Sequence, residues 1–273
     1  MKILVTGGCG FIGSLLVQRL VEKNHDIVVF DKVKGKQNVK YIIGDIRNPD
    51  EVEKAIKGCE IVFHLAALTD LRNIENDYAV NFLGAKNVFD IAKKNNAKIV
   101  FASSAAVYGN AKLPISENSE CSPISQYGKS KLKAERLLGE NDLMLRFFNV
   151  YGPRGKSVIN TFCKKIPKYE EITVYGTGLQ TRDYVYVTDV VDALLLGLGD
   201  ISGVFNVGTG VETKLLDIID IIHRLTKAKP FIKFEMPKEN EIKRSVADIT
   251  KIKQTGWAPK VSLEGGIRKI LSL

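Results

Sequence analysis

The 273-residue sequence is poor in the residues that build metal sites and disulfide frameworks. It has four Cys and three His. The cysteines, at 9, 59, 121 and 163, form no Cys-x-x-Cys pair, and His25, His64 and His223 do not cluster with them. That spacing excludes a structural zinc site and predicts no bound metal. Isolated thiols fit a reducing cytoplasm. Long apolar runs are also missing. The longest, near Ala193–Leu198, is far below membrane-spanning length, and Met1–Gly7 is too short for a signal peptide. A cytoplasmic protein with no membrane contact is expected. There is no Pro/Gly/Ser-rich linker, internal repeat or low-complexity segment. Lys and Arg (40) outnumber Asp and Glu (31), but the +9 excess is shared about equally by the two halves, with no basic tail or block. A dedicated nucleic-acid-binding segment is therefore not expected. What is present, 45% hydrophobic and 26% charged residues, is ordinary globular composition, which excludes disorder, collagen and coiled coil.

Through residue 150, short apolar runs alternate with amphipathic stretches. Strands are predicted at Lys2–Thr6, Ile27–Phe30, Tyr41–Ile43, Ile61–Leu65, Lys98–Ser103 and Leu143–Phe148. Helices are predicted at Phe11–Lys23, Asp50–Lys57, about Tyr78–Asn95 and Ser125–Gly139. Strand–helix alternation of this kind means a parallel sheet covered by helices on both faces, wound in a right-handed sense. After Tyr151-Gly152-Pro153-Arg154 the rhythm breaks into helical patches (Val158–Lys165, Thr188–Leu198, Leu215–Leu225, Leu263–Leu271) and short strands near Thr173–Tyr175, Val204–Val207 and Phe231–Phe234. The expectation is a doubly wound α/β domain over 1–150. A smaller α/β substrate lobe is expected over 151–273, with some segments able to return to the core.

The first strand runs into Gly7-Gly8-Cys9-Gly10-Phe11-Ile12-Gly13 and then a helix. Glycines there allow a tight turn and let a pyrophosphate approach N–H groups at the helix N-terminus. Asp31 ends the second strand, 18 residues after Gly13. A carboxylate there can accept both adenosine-ribose hydroxyls and would repel a 2′-phosphate, which favours NAD over NADP. Lys32, Lys34 and Lys36 weaken that argument, though they read most simply as a solvated loop. Asp45-Ile46 follows the third strand, where an adenine could rest with its amine on the carboxylate. Farther on, Ser103-Ser104 closes the fifth strand, at the sheet edge where open α/β folds bind ligands. Tyr127 and Lys131 stand four residues apart on a predicted helix and share a face. A phenol of pKa near ~10 is a poor base at neutral pH, and a nearby ammonium, together with the positive charge of an oxidised nicotinamide, would favour its phenolate.

Taken together and in order, these motifs resemble the extended short-chain dehydrogenases/reductases of the NAD-dependent epimerase/dehydratase family, and within it the enzymes that epimerise UDP-hexoses at C4. The likeness spans nearly the whole chain. It rests on Thr6–Gly13, Gly44-Asp45-Ile46-Arg47, His64-Leu65-Ala66-Ala67, Asn81 with Gly84, Ser103–Gly109 and Tyr127–Lys131. It continues through Arg146–Arg154, Gly178 with Gln180–Tyr184, Ala247-Asp248 and Gly256-Trp257-x-Pro259. The resemblance implies a Rossmann fold and bound NAD, contacted by Gly7, Gly10, Phe11, Ile12, Asp31, Lys32, Asp45, Ile46, Leu65, Ala66, Ala67, Asn81, Tyr127 and Lys131. It implies Ser104, Tyr127 and Lys131 as catalytic. Asn149 and Arg182 fall on positions that hold a UDP-sugar's diphosphate, and Thr173 and Tyr175 on positions around its uracil. A homodimer is implied, built on the helices near Tyr78–Asn95 and Ser125–Gly139.

Three departures from the family pattern, and one contrast with its dehydratases and decarboxylases, bear on substrate choice. Lys238 and Glu241 stand where an arginine and the aspartate of a Gly-Asp pair are usual, and Thr69 replaces a lysine seen in some epimerases. Ala105 and Ala106 occupy positions where 4,6-dehydratases and related decarboxylases place an acidic residue. The chain is also short for the family, so trimmed loops over the substrate are expected. Ser245 falls where epimerases border the sugar's C2 substituent, and its small size leaves room for an N-acetyl group. These alignments predict redox-neutral C4 epimerisation, with Lys131 lowering the Tyr127 pKa.

Overall fold

The computed structural model describes residues 1–69, 77–237 and 242–272. In chain order its strands are β1 (Lys2–Thr6), β2 (Asp26–Asp31), β3 (Lys40–Ile43), β4 (Ile61–His64), β5 (Lys98–Ser104), β6 (Leu143–Phe147) and β7 (Asn149–Tyr151). They continue as β8 (Glu171–Tyr175), β9 (Thr181–Arg182), β10 (Tyr184–Tyr186), β11 (Gly203–Val207), β12 (Thr213–Lys214) and β13 (Phe231–Glu235). The chain divides into two compact units. One comprises residues 1–107, 123–146 and 191–205, the other 108–122, 147–190 and 206–272.

The first unit is built on a seven-stranded sheet in the order β3-β2-β1-β4-β5-β6-β11. The pairs β1–β2, β1–β4, β2–β3 and β4–β5 are parallel. Ile3, Leu4 and Val5 of β1 are wholly buried, as expected of a central parallel strand covered on both faces. Strand order reverses across β1, between β2 and β4, so the carboxyl ends there open the crevice in which such sheets take ligands.

The boundary expected at 150 falls instead after Arg146, and residues 191–205 rejoin the first unit. They do so because they complete its sheet. Gly203 N donates to Asp142 O at 2.8 Å, and Lys98 Nζ donates to the carbonyls of Gly199 (2.6 Å) and Ile201 (2.9 Å). Gly197 lies so close to Val100 that a Cβ would stand 2.3 Å from Val100 Cγ2. The helix expected over Tyr78–Asn95 includes a π-helical turn at Ala79–Gly84 before its α-helical part, Ala85–Lys94.

The second unit carries the two-stranded pairs β7/β10, β9/β12 and β8/β13 with helices Val158–Lys165, Leu215–Thr226 and Leu263–Leu271. Its core includes Phe162, Ile172, Val174, Ile218, Ile222 and Ile267, all at most 1% exposed. Among the described residues no helix is long and apolar enough to cross a membrane, and no group of three or more His, Cys, Asp or Glu could hold a metal ion.

Candidate active site

At the end of β1 the chain turns through Gly7, whose φ of +71° disfavours any side chain. A Cβ at Gly13 would stand 2.2 Å from Gly7 O, and one at Gly7 would meet Ala66 N at 2.7 Å. These glycines let three backbone segments meet. Gly10 opens helix Phe11–Glu22 with extended backbone, no side-chain cap and no acidic residue in the first turn. Its first N–H groups lack side-chain acceptors and suit a diphosphate. The cradle therefore fits a dinucleotide.

Asp31, at the end of β2, accepts from Cys9 N (2.9 Å) and Lys32 N (2.7 Å), which fixes its carboxylate beside the glycine turn. The Asp45 carboxylate accepts from Arg47 N (3.0 Å), Nε (3.0 and 3.1 Å) and the terminal guanidinium nitrogen (2.6 Å), and it pairs with Lys32 Nζ at 3.0 Å. Arg47 and Lys32 hold its pKa far below the usual carboxylate range. Both oxygens are thus engaged by cations, and Lys32, in an exposed loop, is paired with one of them.

The loop after β4 is clamped from below. Ala66 N lies 3.3 Å from Thr6 Oγ1, and Asn81 in the π turn exchanges two 2.8 Å hydrogen bonds with Leu68 N and O. Asn81 is 1% exposed and also bonds Asp77, so its amide acts by positioning this loop. Leu65, Ala66 and Ala67 stay partly accessible and Thr69 is exposed. Ile46 is buried beneath, in the apolar core.

The catalytic candidates come together where β5 meets helix Gln126–Glu135. Ser125 caps the helix by accepting from Gly128 N. A Cβ at Gly128 would stand 2.3 Å from Ala106 O, so only glycine lets the helix approach the strand end this closely. Lys131 is 2% exposed; its Nζ donates to Ala102 O at 2.8 Å and lies 4.7 Å from the Phe101 ring centre and 5.8 Å from that of Tyr127. Ser104 lies close enough to the Tyr127 phenol to favour its ionised form, and it accepts from Ala106 N at 3.2 Å.

In the chain by itself, burial outweighs what lowers the Tyr127 pKa. Burial pushes Tyr127 up to about 12, Asp77 adds to the rise, and Ser104 opposes it. Burial pushes Lys131 down to about 8, against the pull of Asp77 and Glu135. The protein's own groups therefore keep Tyr127 a phenol at neutral pH, and an added positive charge is needed to release its proton.

Three further residues complete this face. Glu135 accepts a bidentate pair from Arg146 (Nε 3.0 Å, terminal nitrogen 2.7 Å) and a bond from Ser103, all at most 6% exposed. Tyr127, Lys131 and Glu135 recur every fourth residue, so the spacing carried a signal that the sequence reading passed over. Arg146, by contrast, lies 11 residues beyond Glu135 on β6, a pairing no local spacing announces. His64 is 1% exposed, stacks on Phe101 and meets Thr6 Oγ1 through Nδ1 at 2.8 Å. Burial lowers its pKa to about 3, so it is neutral.

In the second unit, Thr173 and Tyr175 lie two apart on β8, on one face and partly buried. Tyr175, Leu179, Gln180, Pro237, Lys243 and Arg244 line a pocket of about 410 Å³. Asn149 is exposed at the start of β7, and Arg182 donates to Thr181 O at 2.7 Å. Ser245 is buried beside the two pocket cations but does not line the pocket. Lys238 and Glu241 lie outside the described residues. Asp183, which carried no expectation, is wholly buried and accepts from Thr209 N and Oγ1, Gly210 N and Ala247 N at 2.7–3.1 Å. It anchors the stretch that bears Ser245.

The sequence profile of the NAD dependent epimerase/dehydratase family matches residues 3–208. A Methanocaldococcus jannaschii protein provisionally named a UDP-glucose 4-epimerase is 39% identical, over 99% of this chain and 97% of its own. A UDP-N-acetyl-alpha-D-glucosaminuronate decarboxylase of Bacillus cytotoxicus is 31% identical over 99% and 96%. Among solved structures, the UDP-glucose 4-epimerase of Thermotoga maritima with UDP-glucose superposes with a TM-score of 0.94 at 33% identity, covering 100% of this chain and 98% of that one.

Proposed function

Because the chain belongs to the NAD-dependent epimerase/dehydratase family, we propose that it is a C4 epimerase of UDP-hexoses. The observation that carries this reading is the set Ser104–Tyr127–Lys131 docked on the carboxyl end of β5, followed by a turn, Ala105–Val107, with no carboxylate. Elimination or decarboxylation would call for a further acid/base beside the sugar. Asp77 does not supply one: it is buried and hydrogen-bonded to Asn81.

When bound, NAD would supply the hydride acceptor and, on return, the hydride donor, and the positive charge of its oxidised ring would favour the Tyr127 phenolate. Tyr127, as phenolate, takes the proton of the sugar's 4-hydroxyl. Ser104 hydrogen-bonds that oxygen and relays the proton. Lys131 is held over Phe101 by Ala102 O, keeping its charge beside the phenol. The resulting 4-keto sugar turns over before reduction on the opposite face, with Tyr127 returning the proton. In the second unit, Tyr175 in the pocket and Arg182 nearby in sequence suit a uracil and a diphosphate. The small Ser245 suits N-acetylated sugars as well as plain hexoses. The half-exposed Tyr78 and Leu83 suit a homodimer, checked by light scattering on the eluting protein.

The test is a panel of UDP-glucose, UDP-galactose, their N-acetyl forms and the matching uronic acids. The expected result is interconversion of C4 epimers with no net NADH. A pentose product with release of CO2, or a 4-keto-6-deoxy product, would refute it. Tyr127→Phe should cut turnover by at least about 100-fold, the scale of general acid–base catalysis, and leave NAD bound.

A further inference from the structure

The corner beside Asp31 holds two carboxylates and two cations in an unequal arrangement. Asp31 faces backbone N–H groups only, through Cys9 N and Lys32 N. Asp45, brought alongside because Gly44 N donates to Asp31 O at 3.0 Å, takes both nearby cations. Lys32 Nζ is 3.0 Å from Asp45 Oδ2, the Arg47 guanidinium lies across both oxygens at 2.6–3.1 Å, and the Arg47 backbone N–H adds a further bond. Asp45 N is itself tied to Glu51 Oε2 at 2.8 Å, so the carboxylate sits on a fixed backbone. The side chains of Lys32 and Arg47 remain 59% and 43% exposed, long enough and open enough to swing elsewhere if released.

A carboxylate at the end of the second strand receives the adenosine ribose, and a nearby cation is what lets such sites take a 2′-phosphate. Here the cations are present but spent on Asp45. We propose that Asp45 is a specificity-determining residue: by locking Lys32 and Arg47 it withholds them from a 2′-phosphate and keeps the site selective for NAD over NADP. The Asp31 charge is then left to repel that phosphate. Removing the Asp45 charge makes the corner more positive by one and frees a fork-shaped donor suited to phosphate. The inference concerns the dinucleotide alone and does not depend on which sugar is processed.

The test is a competition read on bound cofactor rather than on turnover. Protein incubated with equal NAD and NADP is separated from free nucleotide and denatured, and the released dinucleotides are quantified. Wild type should retain NAD. Asp45→Asn should raise the NADP:NAD ratio about tenfold or more, the scale of one gained charge-assisted contact. Adding Lys32→Ala and Arg47→Ala to that variant should return the ratio toward wild type. An unchanged ratio in Asp45→Asn, with both cofactors weakened together, would mean that the carboxylate serves only the adenine both share, and would overturn the proposal. So would a raised ratio that survives loss of both cations. Should Asp45→Asn fail to fold, Lys32→Ala/Arg47→Ala alone decides: the ratio should stay at the wild-type value, and a fall in bound NADP would show that the cations were never locked.

Discussion

Lys131 shows at the scale of one residue how chemistry is set against stability. Its ammonium is 2% exposed, and burial brings its pKa down to about 8 from an unfolded value near 10.5. Between those values the unfolded chain binds more protons than the folded one, so folding stability attributable to this group rises with pH from about 8 to 10.5. Below pH 8 the whole cost of holding the charge is present, at most about 3 kcal/mol. Lys131→Met should therefore abolish turnover yet leave the protein at least as stable at pH 7. Its advantage over wild type should shrink on going to pH 10.5. Denaturant titrations of both proteins at pH 7, 9 and 10.5 check this, and a variant less stable at pH 7 with no pH trend would contradict it. Tyr127 runs the other way: raised to about 12, it favours the folded state's neutral phenol, and stability should fall as pH climbs from 10 to 12.

At the scale of elements, the decisive contact is between helix Gln126–Glu135 and the end of β5. Three consecutive strand residues each grip the helix: Phe101 and Ala102 take Lys131 and Ser103 takes Glu135, while Ser104 lies beside Tyr127. Gly128→Ala would drive a methyl into Ala106 O, costing about 1–3 kcal/mol as an overpacked site and shifting Tyr127 from Ser104. Turnover should fall further than the melting temperature suggests. Arg146→Met would strand the buried Glu135 charge at a cost of about 3–5 kcal/mol, whereas Glu135→Gln with Arg146→Met should cost much less. Thermal denaturation of the three variants measures the difference.

Much of this was legible in the sequence for a stated reason. The strands of the first unit are continuous buried runs, and the glycine turn and Tyr127–Lys131 pair depend on local spacing alone. What was not legible depends on which strand ends become neighbours. The capture of Lys32 by Asp45 follows from the β2–β3 register, Asp31 opposite Ile43. The Arg146–Glu135 pair follows from the placing of β6, and the four bonds to Asp183 join residues up to 64 positions apart. The burial that raises the Tyr127 pKa was not legible, because helical spacing reports a neighbouring charge but not the loss of water around the phenol.

At the scale of the whole molecule, the chain leaves the first unit after residue 107, returns at 123, leaves again after 146, returns at 191 and departs for good after 205. A fragment ending at 150 would lack β11 and the segment that seats Gly197 on Val100, leaving β6 with an unpaired edge. Such a fragment should be recovered mostly as aggregate, and one extended to 205 should be more soluble. The same threading governs how the protein can be rebuilt or can diverge. With five crossings, no single splice exchanges the second unit while sparing the first. New specificities are reached by point changes in place, or by three coordinated grafts at once.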